Sequence, residues 1–240
     1  MQLTHSADQD CESRRSAIAS YEQAVAIKPD KHEAWYNRGA ALSNLGRYQD
    51  AIASYEQAVA IKPDKHEAWN NRGAALSALG RNEEAIASYE QAVAIKPDDH
   101  EAWYNRGNAL SDLGRSLQAQ GQQEAALAKL SEGLASYEQA VAIKPDLHEA
   151  WYNRGVALSA LGHKEEAIAS YEQAIEFKPD KHEAWYNKAC CYGLQQNIEL
   201  AIETLQHAIS LDSKYRDMAK TDSDFDGIRD DERFQAVIGE

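Results

Sequence analysis

The sequence predicts an all-α protein, built as a linear array of helix pairs. Three observations carry this expectation. The twelve residues ASYEQAVAIKPD occur unchanged at 19–30, 53–64, 87–98 and 135–146, with a near copy, ASYEQAIEFKPD, at 169–180. All five Trp and all five Pro belong to this pattern. Within each copy, apolar and small residues recur at spacings of three and four, the stripe of an amphipathic helix. Self-similarity of this period defines stacked repeats, each too small to bury its apolar face alone.

Counted from His32, the unit restarts at His66, His100, His148 and His182, so three steps are 34 residues long and one is 48. In the first helix, Trp35, Gly39 and Leu42 share one face, and Gly46 stops it. In the second helix, Ala51, Tyr55, Ala58 and Val59 do the same. Pro63 forbids continuation, and Asp64, three residues before Glu67, suggests a capping box for the next first helix.

Trp35, Gly39, Gly46, Ala51, Tyr55, Ala58 and Pro63 stand at positions 4, 8, 15, 20, 24, 27 and 32 of a 34-residue unit. This spacing resembles the tetratricopeptide repeat. The copies from His66 and His148 keep all seven. The copy from His182 keeps Trp185, Ala201 and Ala208 but carries Ala189, Gln196, Leu205 and Ser213 at the other positions. The resemblance spans roughly 16–215 and implies a right-handed superhelical α-solenoid of stacked helix hairpins. The expected organisation is a polar segment at 1–15 and an orphan second helix at 16–31. Repeats follow at 32–65, 66–99, 100–147, 148–181 and 182–213, with capping helices at 214–240. The tail 214–240 resembles the segment that follows many bacterial arrays of this family. Its Phe225, Ile228, Phe234, Val237 and Ile238 are expected to lie on the last repeat.

One departure is regular. Position 7, usually Leu in the family, is Arg38, Arg72, Arg106, Arg154 and finally Lys188. The expectation is a stem lying on the core, with its head paired to the Glu after the repeat Tyr (Glu22, Glu56, Glu90). The 48-residue unit is a second departure. ALSDLGR at 109–115 is echoed by SLQAQGQ at 116–122, which predicts seven extra residues in each helix. Seven residues are nearly two turns, so the apolar face is preserved. The turn then moves from Gly114 to Gly121, and a longer hairpin protrudes by about 10 Å. The competing reading keeps the turn at Gly114 and makes the insertion a loop. At the N-terminal end, the orphan helix is expected to expose Ile18, Tyr21 and Val25, an end through which copies could pair.

Composition excludes several functions. A formal charge of −14 repels phosphate backbones, so nucleic acid is not an expected ligand. No apolar run is long enough to cross a bilayer, and the N-terminus lacks the apolar core of a signal peptide. Cys11, Cys190 and Cys191 do not form a disulfide framework, which points to the cytoplasm. There is no C-x-x-C, G-x-S-x-G, P-loop or H-E-x-x-H, so neither an enzyme nor a bound cofactor is expected. The recurring His (His32, His66, His100, His148, His182) are too far apart in a stack to converge on a metal.

In the family, the concave face formed by the first helices binds peptides. Carried over position by position, the resemblance implies Glu33, Tyr36 and Asn37; Glu67, Asn70 and Asn71; Glu101, Tyr104, Asn105 and Asn108; Glu149, Tyr152 and Asn153; and Glu183, Tyr186 and Asn187. The Asn side chains can donate to and accept from a peptide backbone. Position 2 is always Glu, which is incompatible with the family's basic clamp for carboxylate tails and favours a neutral or basic protein segment. The leading expectation is therefore a non-enzymatic scaffold. Two alternatives are self-assembly, through the uncapped N-terminal helix or the long hairpin, and a calcium site in the tail, where Asp222, Asp224 and Asp226 precede Gly227, with Asp230 and Glu232 beyond.

Overall fold

The computed structural model describes residues 16–239, and among these there are helices and turns but no strand. The polar segment 1–15, with Cys11, and residue 240 lie outside the described residues. The chain divides into two compact units, the first ending at Gln120 and the second beginning at Gly121. In the first, α1 spans 16–27 and is followed by α2 (His32–Ser43), α3 (Tyr48–Ile61), α4 (His66–Ala78), α5 (Asn82–Ile95) and α6 (His100–Ala119). The second contains α7 (Gln123–Ile143), α8 (His148–Ala160), α9 (Lys164–Phe177), α10 (His182–Leu194) and α11 (Ile198–Leu211). It ends in α12 (Lys214–Thr221), a 3₁₀ segment (Ser223–Ile228) and α13 (Glu232–Gly239). Each unit is an all-α solenoid of paired helices, whose short connections make sequence neighbours spatial neighbours.

Packing inside a pair rests on one close approach. A Cβ placed on Gly39 would lie 2.6 Å from the Tyr55 ring, and Gly73 with Tyr89 and Gly155 with Tyr171 repeat the same 2.6 Å clash. Glycine here is a space requirement, since the buried ring fills what a methyl group would need. The last repeat supports this reading by compensation: Leu205 replaces the Tyr, and Ala189 replaces the Gly. Each Trp pins the loop before its own helix. The indole N–H of Trp35, Trp69, Trp103 and Trp185 donates to the carbonyl of the Pro six residues earlier at 2.9 Å, and that of Trp151 at 2.7 Å.

The position-7 cations pair as expected. Arg38 meets Glu22 at 3.0 Å, Arg72 meets Glu56 at 2.9 Å and Arg106 meets Glu90 at 3.0 Å. Arg154 with Glu138 (3.0 Å) and Lys188 with Glu172 (2.8 Å) continue the series. The other guanidinium nitrogen of Arg38, Arg72 and Arg154 donates to Ser54, Ser88 and Ser170, serines with no exposed surface. These arginines therefore tie a first helix to second helices on both sides.

The insertion is absorbed as helix. α6 has 20 residues and α7 has 21, against 13 and 14 for α4 and α5, and α6 runs through a buried Gly114 without interruption. The left-handed residue is Gly121 (φ +76°), as Gly46, Gly80 and Gly162 are in their turns, so the loop reading does not hold.

Two local expectations are corrected. Asp64 caps nothing: α4 has Lys65 at its N-cap and no side-chain cap bond. Among these first helices only α6 has a carboxylate there, Asp99, which accepts from the N–H groups of Glu101 and Ala102. And α1 does not expose its expected face. Ile18 and Val25 are buried at 5% and 9% and Tyr21 is half-buried, while Ile27 stands in the open.

Candidate functional site

Within each unit the structure shows how the predicted residues of the first helices are placed. In the first unit, Glu33, Asn37, Glu67 and Glu101 are exposed, whereas Tyr36, Asn71, Tyr104, Asn105 and Asn108 are half-buried. Asn71 donates from Nδ2 to the Tyr36 hydroxyl at 3.1 Å, and Asn105 donates to Asn70 Oδ1 at 3.2 Å. In the second unit Asn187 donates to the Tyr152 hydroxyl at 3.2 Å, while Glu149 is exposed and Asn153 half-buried. The Asn ladder expected to face a peptide thus also stitches one first helix to the next, 35 residues away.

A cation covers two of the tyrosine rings. Lys65 Nζ lies 4.5 Å from the Tyr36 ring centroid and 3.5 Å from Glu67; Lys181 Nζ lies 4.6 Å from the Tyr152 ring and 3.2 Å from Glu183. Burial works against ionisation of Glu67 and Glu183. Their own backbone N–H groups and the neighbouring lysines and histidines outweigh it and hold both carboxyls below the usual range. Position-by-position reading missed these lysines, which stand at position 34 of the preceding unit. The signal was visible as Lys31, Lys65, Asp99, Leu147 and Lys181.

Between α4 and α6 the arrangement changes. Asn70 stands where the other copies have Tyr, and Asp99 stands where Lys65 and Lys181 stand elsewhere. Beside Asn70 opens a cleft of about 330 Å³. Tyr36, Asn70 and Asn71 form part of its wall; Glu67, Asp98, Asp99 and Glu101 supply carboxylates, against Lys96 and the imidazoles of His66 and His100.

Tyr186 is a correction. It is 4% exposed, because the C-terminal segment lies on it. Its ring stacks on Tyr215 with centroids 4.5 Å apart, meets the edge of Phe225, and its hydroxyl donates to Asp222 Oδ2 at 2.7 Å. Gly193 permits this cover: a Cβ there would sit 2.7 Å from the Asp224 carbonyl oxygen. The four earlier copies have Ser43, Ser77, Ser111 and Ser159 at this position, a difference readable in the sequence but without meaning until the tail is in place.

The Asp-rich stretch is part of that cover. Residues 223–228 wind into a 3₁₀ helix that buries Phe225 and Ile228, with Asp222 as its N-cap, accepting from the Asp224 N–H. Arg229 supplies the positive charge. Its guanidinium donates to the carbonyls of Ala219, Lys220 and Asp222 and to Asp226. Among the described residues, the one cluster whose ligand atoms approach within 4.8 Å is Cys190, Asp222 and Asp224. Asp226, Asp230 and Glu232 do not join it. Calcium takes six to eight oxygens, so two carboxylates, one of them bonded to Tyr186, and a thiol do not fit that ion. Burial and then the neighbouring Asp222 charge raise the carboxyl of Asp224, and burial raises the thiols of Cys190 and Cys191, both free. Among the described residues no helix is long and apolar enough to cross a membrane.

Comparison with known proteins agrees with this geometry. Family models described as tetratricopeptide repeat match residues 32–65, 148–181 and 182–215, 54–87, and 107–129. A further model, described as TPR repeat, matches 15–46 and 75–114. The sequence finds no match among curated proteins. Among solved structures, the chain is similar to YrrB, described as a TPR protein with an unusual peptide-binding site (TM-score 0.66, 21% identity, 80% of this chain and 92% of that one). It is similar to MamA from Desulfovibrio magneticus (TM-score 0.67, 18% identity, 77% and 97%). It also resembles a thermophilic TPR protein of Thermus thermophilus (TM-score 0.55, 22% identity, 78% and 96%). At these identities the likeness is one of fold.

Proposed function

The chain belongs to the tetratricopeptide repeat family, and from that premise we propose that it is a non-enzymatic scaffold holding a segment of a partner protein along the face of its first helices. The observation that carries this reading is the division of labour within a repeat. Trp, Tyr, Gly and the position-7 cation are consumed by packing, while Glu33, Asn37, Glu67 and Glu101 stay exposed on one face beside an open cleft. YrrB, of the same fold, is described as having a peptide-binding site. The recurring carboxylates favour a neutral or basic segment. Free thiols at Cys190 and Cys191 fit a reducing compartment such as the cytoplasm.

The test is selection of a displayed random-peptide library on the immobilised chain, followed by titration calorimetry. Replacing Tyr104 and Asn105 together by Ala is expected to weaken selected peptides by about 2 kcal/mol or more if they are hot spots. Unchanged affinity would place binding elsewhere. Light scattering over a concentration series checks the assembly alternative, which a strict monomer rules out.

A further inference from the structure

We propose that the cleft beside Asn70 is a subsite for one cationic side chain, lysine or arginine, of the bound segment. The inference rests on the groove reading above and adds the chemistry of one position in the ligand.

Equivalent places in the same chain differ here. Where Tyr36 and Tyr152 stand, the chain brings its own ammonium group: Lys65 and Lys181 lie on the rings and pair with Glu67 and Glu183. At Asn70 both partners are gone. The ring is replaced by a short amide, the lysine by Asp99, and a cleft of about 330 Å³ remains. Replacing a lysine by an aspartate moves the local charge by two units toward negative.

Glu101 feels this directly. Its counterparts all have a nitrogen partner: Glu33 has His32, Glu67 has Lys65 and His66, Glu149 has His148, and Glu183 has Lys181 and His182. Among the described residues Glu101 has none.

Asp99 is only half explained by capping. One oxygen accepts the N–H groups of Glu101 and Ala102; the other lies 3.7 Å from His66 Nε2. Asn70 is 8% exposed, its Oδ1 is taken by Asn105, and its amide nitrogen has no partner among the described residues. It can donate to a carbonyl of the peptide while the carboxylates receive the side chain. A cation entering here meets the kind of charge its counterparts meet from within the chain.

The probe is a displayed decapeptide library on the full chain. The expected result is a Lys or Arg at one fixed place in the selected peptides. Changing it to Gln should weaken binding about tenfold, the scale of one partly buried charge contact. In the double variant Asn70→Tyr with Asp99→Lys, which restores the pair found at Tyr36 with Lys65 and at Tyr152 with Lys181, the Lys and Gln peptides should bind within about twofold of each other, as expected once a partner's charge contact is removed. Circular dichroism confirms that the variant is folded. Glu101→Gln alone should reduce the preference by about threefold, a partial loss of the same contact. Peptides that bind the first-helix face with no basic preference, or a preference that survives the double variant, overturn the subsite and leave the groove standing. A library that yields no binders overturns both.

Discussion

Asn70 and Tyr186 occupy the same position of their repeats, and both are nearly buried, for opposite reasons. Tyr186 is large, and the chain's own tail covers it with Tyr215, Asp222 and Phe225. Asn70 is small, and the space its missing ring leaves is open to solvent as a cleft. The difference teaches that one repeat position is closed or left open according to its neighbours in space. At Tyr186 the chain's own tail fills the space over the ring; beside Asn70 the described residues leave a cleft.

The largest effect should come from removing that intramolecular cover. Phe225 has no exposed surface and packs against Tyr186 and Phe234. Phe225→Ala is expected to cost about 3–5 kcal/mol, through lost burial and a cavity. Urea denaturation measures the loss, and hydrogen exchange should show it first in the tail and α10. Gly193→Ser restores the residue of the earlier copies and drives a Cβ to 2.7 Å from both the Asp224 carbonyl oxygen and the Phe225 ring. Backbone must move, so a loss of about 1–3 kcal/mol is expected. A neutral result would mean that the tail is not seated on α10.

Filling the other site should act in the opposite direction and more weakly. Asn70→Tyr adds buried ring surface, and Asn105 can donate to the new hydroxyl as Asn71 does to Tyr36. A gain of about 1 kcal/mol is expected from area and one hydrogen bond. Thermal unfolding of the single variant checks it, and destabilisation would show that the cleft is not a vacant tyrosine place.

The smallest effect is a pH dependence. Burial and then Asp222 raise the Asp224 carboxyl, so the folded state holds that proton more tightly than the unfolded chain. Ionised Asp224 therefore opposes folding at neutral pH, and the opposition fades as pH falls through its raised value toward the ordinary carboxylate range. Asp224→Asn should raise the melting temperature slightly at pH 7, and the advantage over the parent should shrink by about pH 4, near the ordinary carboxylate value. A difference that grows on acidification would reverse the assignment.

Much of the fold is legible in the repeats alone. The period, the helix pairs, the seven-residue lengthening of α6 and α7, and the arginine–glutamate pairs follow from contacts that recur at constant offsets. Apart from the lengthening, which occurs once, each offset is repeated in several copies, and one helical turn or one 16-residue step suffices to see it. For the proposed groove the sequence supplied candidates only. Asn71 and Asn187, expected to face a peptide, spend a donor on a neighbour's tyrosine. Ile18 and Val25, expected on an exposed face, are buried.

By itself the sequence determined which residues pack within a repeat, because helical periodicity and the Gly–Tyr fit are local and survive being copied. Only the tertiary structure decided what remains available on the surface. That depends on groups 35 residues away in the next repeat and on a tail that resembles no repeat. Lys65 and Lys181 cover their tyrosines, Asp222 and Tyr215 close over Tyr186, and Asp99 takes the place of the lysine that pairs with Glu67 and Glu183 elsewhere. Exposure and charge balance are sums over neighbours in space, and no single copy contains them.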